Sequence, residues 1–441
     1  MSTNSLSRLG TANAYDGTLH NLQTRQTALA NLQQSLTSGK KINSPSDDPT
    51  GAAQAERALN RIARIATDQR ALESQRNAIA QAEGTLGDVT SALQDFRELV
   101  ISAGNGGHTP AERTTIAQQL SGLRDRIFSL ANTTDANGQP VFAALGSALT
   151  PFVGPKTVAP DYTFDGLPGQ VATGPYAIPF TLDGESAFMS HPGRDGTFNT
   201  TVGKLVQITP PAVPAYRIDP VPVGRTLLTD TLKLDPQVPA TELPYKLTIT
   251  GSTSAVVSGQ TVTTITYDVF ENPVEPFDPV TSAPLATGLT ATSDGSGKIN
   301  ITGVPGLTFN LSGSPAVDDI VSLQPSVSVF STMDSAIRDI GSAANNNAAS
   351  QAIGQALKNI DISMERVSAV RGQAGDLLNR ADSISSTNSK RNIEQEGNRS
   401  RAEDMDLIKG ISDFNNQQTG YQAALQSYAQ MQKLSLFNFI G

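Results

Sequence analysis

The sequence predicts an α+β protein: a long coiled-coil-like helical rod built from both termini, with an inserted all-β, sandwich-like domain or domains in the middle. Three observations predict it. Of 26 prolines, three precede residue 140, 23 lie between Pro140 and Pro325, and none follows; proline breaks helix interiors. Apolar residues recur by three and four in both terminal segments but alternate by two in the middle. Charge divides the same way. Residues 145–330 hold 8 Lys+Arg and 16 Asp+Glu, a net of -8, while the whole chain of 441 residues carries -9.

The first helix is read from Leu19, Leu22, Gln26, Leu29, Gln33 and Leu36, with Leu32 widening the stripe. Ser38-Gly39 ends it, since Gly suits the position after a helix. Ser46-Asp47-Asp48-Pro49 announces the next helix, an Asp cap followed by Pro at the first helical position. There Ile65, Leu72, Ile79, Leu86, Leu93 and Val100 recur every seven residues, with Ala82, Val89 and Phe96 at companion positions. That repeat implies coiled-coil-like packing. At about 1.5 Å per residue, such a helix makes a rod of roughly 75 Å. Gly104-Asn-Gly-Gly-His108 breaks it. Thr109-Pro110-Ala111-Glu112 opens a third helix with a capping box, and Ile116, Leu120, Leu123, Ile127 and Leu130 carry its stripe.

In the middle, Tyr245, Leu247 and Ile249 alternate with polar residues, as do Ile265, Tyr267 and Val269, and Leu307, Phe309 and Leu311. Such alternation predicts half-buried strands, enough for one large or two small sandwich-like domains. The C-terminal segment returns to helical spacing: Ile353, Leu357, Ile360, Met364, Val367, Arg371, Ala374, Leu378 and Ala381, with Arg371 as the polar exception. A polar helical stretch, Ser383 to Arg401, follows. The end turns apolar again at Phe414, Tyr421, Ala424, Leu425, Tyr428, Met431, Leu434, Leu436, Phe437, Phe439 and Ile440.

Composition excludes several function classes. A net charge of -9 argues against nucleic acid as a partner, because phosphate binding needs clustered Lys and Arg. The absence of cysteine removes disulfides, thiolate catalysis and Cys-ligated zinc. No run of 18 apolar residues predicts a membrane span, and the polar N-terminus reads as carrying no secretory signal peptide. His20, His108 and His191 are scattered, and no HExxH, GxSxG or Walker A motif occurs. Asp135-Ala-Asn-Gly138 lacks the spacing of a calcium loop and reads as a tight turn. Asp47 and Asp48 are explained by capping. The expectation is therefore a non-enzyme with no catalytic residue, metal or cofactor. What stands out is the pair of amphipathic ends, whose stripes must be buried within one monomer or between copies.

Residues Ser35-Leu-Thr-Ser-Gly-Lys-Lys-Ile-Asn-Ser-Pro-Ser-Asp-Asp-Pro-Thr-Gly-Ala-Ala53 resemble the N-terminal signature of the flagellin-like axial proteins of the bacterial flagellum. Gln417-Gln-Thr-Gly-Tyr-Gln-Ala-Ala-Leu-Gln-Ser-Tyr-Ala429, ending in Leu434-Ser-Leu-Phe-Asn-Phe439, is similar to the other end of that family. Both resemble its hook–filament junction branch more than flagellin. Asn132-Thr-Thr-Asp-Ala-Asn-Gly138 resembles the family's turn after the third helix, whereas Val141-Phe-Ala-Ala-Leu-Gly146 departs from the pattern that follows it. The resemblance covers about residues 1–145 and 331–441.

The resemblance implies a structural subunit that joins hook to filament, with a flagellin or flagellin-like filament subunit as the alternative. It implies axial helices at 1–45 and 401–441, disordered in the monomer, that pack between copies. It implies rod halves at 46–145 and 331–400, and a surface-exposed β insert at 146–330. Implied partners are other copies, a neighbouring hook-associated protein, flagellin, and a cytoplasmic chaperone on the C-terminal helix. Implied export is through the flagellar type III apparatus to an extracellular position at the hook–filament junction.

Overall fold

The computed structural model describes residues 3–440 apart from 136–137, 144–147, 158–159, 168–176, 210–214, 231, 236, 239–241 and 258–259, with side chains from 16 to 430. The chain forms two compact units. One joins residues 1–71 to 383–441, and the other is residues 72–382. The expected fold class holds: long helices from both ends, strands between.

The first unit is built from α1 (Thr3–Ser38), α8 (Leu407–Ile440), the first part of α2 (Pro49–Ala103) and the last part of α7 (Asn346–Glu403). Helices α1 and α8 pack on each other. Gly410 packs closely there: a Cβ on it would meet the end of the Met405 side chain and sit 3.1 Å from Leu36 Cδ2. Helix α2 starts where the sequence predicts. Asp48 Oδ1 accepts the backbone N–H of Thr50 at 3.1 Å and of Gly51 at 3.0 Å, satisfying first-turn donors that otherwise lack partners.

In the second unit, α2 and α7 run antiparallel. Arg76 pairs with Asp382, Glu83 with Arg371 and Arg97 with Asp361, so α7 numbers fall as α2 numbers rise. Arg371, the polar exception in its stripe, is thus an ion-pair partner. Of the expected rod core, Leu72, Ile79, Leu86, Leu93, Val100, Ile360 and Val367 are buried. Leu357, Met364 and Leu378 are half-buried, as is Ile65 in the first unit. Helix α3 (Pro110–Ala131) opens on the expected box: Thr109 N–H donates to Glu112 Oε2 at 2.7 Å, and Glu112 N–H to Thr109 Oγ1 at 3.3 Å. It packs against α6 (Val329–Gly341).

The expected insert of 146–330 divides in two. Its first part holds β1 (Phe152–Val153), β2 (Thr163–Phe164), α4 (Gly184–Phe188) and α5 (Pro192–Asp195). This part roofs the α3–α6 pair with aromatics. Phe330 of α6 has Phe128 of α3 at 5.1 Å, Tyr162 at 5.2 Å, and Phe152 and Phe188 each at 5.8 Å, centroid to centroid. Such rings gain stability beyond their burial.

The second part is the sandwich, Phe198 to Pro325. A six-stranded antiparallel sheet has the order β4 (Tyr216–Asp219), β3 (Phe198–Gln207), β12 (Asp319–Pro325), β7 (Tyr245–Val257), β8 (Gln260–Glu271), β9 (Ala286–Thr292). A smaller sheet joins β10 (Lys298–Val304), β11 (Leu307–Gly313), β5 (Leu227–Thr229) and β6 (Lys233–Leu234). The two share one core. Tyr245, Leu247, Ile265 and Tyr267 from the first meet Leu227, Ile299, Phe309 and Leu311 from the second. One sandwich, rather than two small domains, follows from that shared interior. Its first and last strands lie side by side, with Phe198 opposite Pro325.

Candidate subunit interface

The motif at residues 35–53 is a locked turn in the first unit. Asn43 carries it: its side chain donates to Ser35 Oγ at 3.0 Å and accepts from Ser38 Oγ at 2.8 Å. Asp47 Oδ2 accepts the backbone N–H of Asn43 at 3.0 Å and of Ser44 at 2.8 Å. A Cβ on Gly51 would lie 2.6 Å from Ile42 Cδ1, so glycine there lets Ile42 tuck under α2. The turn is pinned to the α7–α8 junction. Lys41 N–H donates to Glu403 O at 2.8 Å, Met405 N–H to Gly39 O at 2.9 Å, and Lys40 pairs with Glu403. Asp48 thus caps α2 as predicted, whereas Asp47 closes the turn before it instead of capping the helix.

Burial differs between the units. Among the described side chains of α1, and of α8 beyond Gly410, none is buried. Leu22, Leu29, Leu32, Leu36, Tyr421 and Tyr428 are half-buried, and Leu19 and Leu425 are exposed. Ile408 is 85% exposed. Met431, Leu434, Leu436, Phe437 and Phe439 lie outside the described side chains. The heptad residues of α2 from Leu72 to Val100, by contrast, reach 0–2% exposure. Two helices can cover only one face of each other, and fully burying an exposed leucine or phenylalanine is worth about 1.5–3 kcal/mol.

Periodicity missed a second buried face on α7, because its residues are polar. Gln351, Gln355, Asn359, Ser363 and Arg366 follow helical spacing and are all buried. Gln355 donates to Phe198 O at 2.6 Å and accepts from Thr200 Oγ1 at 2.5 Å. Asn359 donates to Asn199 Oδ1 at 2.8 Å, and Gln351 to Thr229 Oγ1 at 2.5 Å. Arg366 donates to Ser190 Oγ at 2.9 Å and to Asp195 Oδ2 at 2.6 Å. Burial alone would raise the Asp195 carboxyl, but hydrogen bonds from Arg194 and the His191 backbone, with the nearby guanidinium charges, hold it below its usual value. This seam seats the sandwich. Only the repeated Gln and Asn at four-residue spacing hinted at it.

A third cluster ties the aromatic roof down. Arg124 of α3 donates to Tyr162 Oη at 2.9 Å, which donates to Asp334 Oδ2 of α6 at 2.6 Å. Burial raises the Asp334 carboxyl above its usual value, against the Tyr162 hydrogen bond and the Arg124 charge. The cluster lies inside the fold with both charges partnered, so it reads as a clamp. Among the described residues, no three His, Cys, Asp or Glu gather as metal ligands, and no helix is long and apolar enough to cross a membrane.

Residues 10–146 match the family model for the bacterial flagellin N-terminal helical region. The chain is 31% identical over 153 residues to flagellar hook-associated protein 3 of Salmonella typhimurium, covering 33% of this chain and 46% of that protein. It is 30% identical over 147 residues to Escherichia coli flagellin, covering 33% of this chain and 28% of that one. The chain thus spans less than half the length of these curated relatives. Among solved structures, hook-associated protein-3 of Legionella pneumophila superposes with a TM-score of 0.55 at 22% identity, covering 78% of this chain and 97% of that chain. The Xanthomonas campestris FlgL structure gives 0.54 at 20% identity, covering 78% and 99%. The resemblance read from the motifs therefore holds, and the fold is shared with these structures.

Proposed function

We propose that this chain is a structural, non-catalytic subunit of the bacterial flagellum that joins hook to filament, its terminal helices packing against those of neighbouring copies. The observation that carries the reading is the burial contrast: a well-buried helical core in residues 72–382, and terminal helices whose apolar stripes stay half-covered. Supporting it are the flagellin-type N-terminal region and the relative named hook-associated protein 3. On this reading Leu19, Leu22, Leu29, Leu32, Leu36, Tyr421, Leu425 and Tyr428 are packing residues, and Met431, Leu434, Leu436, Phe437 and Phe439 extend the surface. Alone in a monomer the end helices are only marginally held, since isolated helices are marginal in water. A second copy, a neighbouring hook-associated protein and flagellin cover them in the assembly, and a chaperone covers α8 before type III export. The flagellin match supports a filament subunit as the second reading.

Immunogold labelling of isolated hook–filament complexes separates these. Label confined to the junction is expected. Label along the whole filament would favour the second reading, and no label on flagella would overturn both.

A further inference from the structure

Helix α2 carries unbalanced charge of opposite sign at two places. In the first unit, Arg57 and Arg61 stand one turn apart on α2 and, with Arg401 of α7, wall a cleft of about 340 Å³ floored by the buried Ala58 and Ala402. Among the described residues, no carboxylate lines it; there Arg61 donates to the Gln395 amide oxygen at 3.4 Å and Arg401 to the Asn398 amide oxygen at 2.6 Å. In the second unit, Asp95 and Glu98 project from α2 beside a groove lined by Leu99 and by Leu123 of α3. Both acids are exposed, and among the described residues no basic side chain lines the groove. Gly122 leaves its mouth open, since a Cβ there would meet nothing within 4 Å.

The same asymmetry runs through the units. Residues 1–71 and 383–441 hold 14 basic and 11 acidic side chains, a net of +3. Residues 72–382 hold 18 basic and 30 acidic, a net of -12. An arginine cleft without a carboxylate fits carboxylates that lack a cation, because guanidinium binds carboxylate through two parallel hydrogen bonds.

We propose that the Arg57–Arg61–Arg401 cleft of one copy receives the Asp95–Glu98 ridge of α2 from a second copy. The two surfaces differ, so the contact is heterologous. Each copy then offers one free cleft and one free ridge, and copies add in series instead of closing as a pair. The apolar lining of the groove adds burial, and the charges set orientation and register. This inference rests on the reading of the chain as a self-assembling subunit.

The absence of native cysteine makes the test direct. Arg61→Cys and Glu98→Cys variants are produced together in the flagellated host, and isolated flagella are treated with a short bismaleimide. The expected product is a cross-linked dimer that forms only when both variants are present. It should fall several-fold when Arg57→Glu is added to the first variant and recover when Asp95→Arg is added to the second. All four positions are exposed, and circular dichroism of each purified variant checks its fold. Flagella that contain the chain but give no mixed dimer, or give equal cross-linking with one variant alone, would overturn this contact and leave the functional reading standing. A chain absent from flagella would overturn both.

Discussion

Lys358 shows how a single half-buried charge leaves a measurable trace. Its Nζ donates to the Leu232 carbonyl. Burial pulls its pKa from 10.5 down to about 8, with Asp230 pulling back and Lys233 adding to the fall. The folded value lies below the unfolded one, so the unfolded chain binds more protons between about pH 8 and 10.5, and this group's contribution to stability rises with pH across that window. Below pH 8 the lysine is charged in both states and its contribution is flat. The melting temperature of the native chain should therefore gain on that of Lys358→Met between pH 8 and 10.5. A difference that stays constant with pH would mean that Lys358 titrates as a free lysine. Arg366 shows the opposite solution to burial: it keeps its charge by pairing with Asp195, and removing one partner of such a pair costs about 3–5 kcal/mol.

The sandwich is held to α7 by polar groups, which makes it separable. Ser326 N–H donates to Thr197 O at 2.8 Å beside the Phe198–Pro325 pairing, so a short Gly/Ser linker can replace residues 198–325. That excision leaves Gln351, Gln355 and Asn359 facing water, which suits them. Replacing residues 150–328 is different, because it also removes Phe152, Tyr162 and Phe188 from above Phe330. Losing a buried large aromatic costs about 3–5 kcal/mol. The shorter excision should keep a cooperative helical melt by circular dichroism, and the longer one should melt much lower or not cooperatively. Equal melting of the two would show that the roof contributes little.

On the proposed function, stability and assembly draw on different residues of the molecule. Residues 72–382 contain nearly all the fully buried side chains, while the terminal helices leave theirs half-covered. Leu425 is 43% exposed, so Leu425→Ala should cost the monomer about 1 kcal/mol or less, short of the roughly 2–5 kcal/mol of a core truncation. Leu425→Asp should also leave the monomer folded, because the carboxylate faces water. In an assembled interface that carboxylate would be buried without a partner. Cells carrying Leu425→Asp should swim poorly and shed filaments. A large loss of monomer stability with Leu425→Ala would make α8 an ordinary core helix.

What the sequence by itself determined was everything that depends on local rules. Proline placement marked the helical ends, the seven-residue repeat from Ile65 to Val100 marked a core that is buried from Leu72 onward, and Thr109 to Glu112 marked a helix start to the residue. The motif at 35–53 carried the family resemblance without revealing what its residues do. Only the tertiary structure decided that Asn43 and Asp47 lock a turn, that two sheets share one core, and that Phe152, Tyr162 and Phe188 cover Phe330 of α6. It alone disclosed the polar face of α7. Hydrophobic periodicity reports burial only where burial is apolar. Gln355 and Asn359 carry no apolar signal, and what buries them is Phe198 and Asn199, some 160 residues away in sequence, which satisfy their hydrogen bonds.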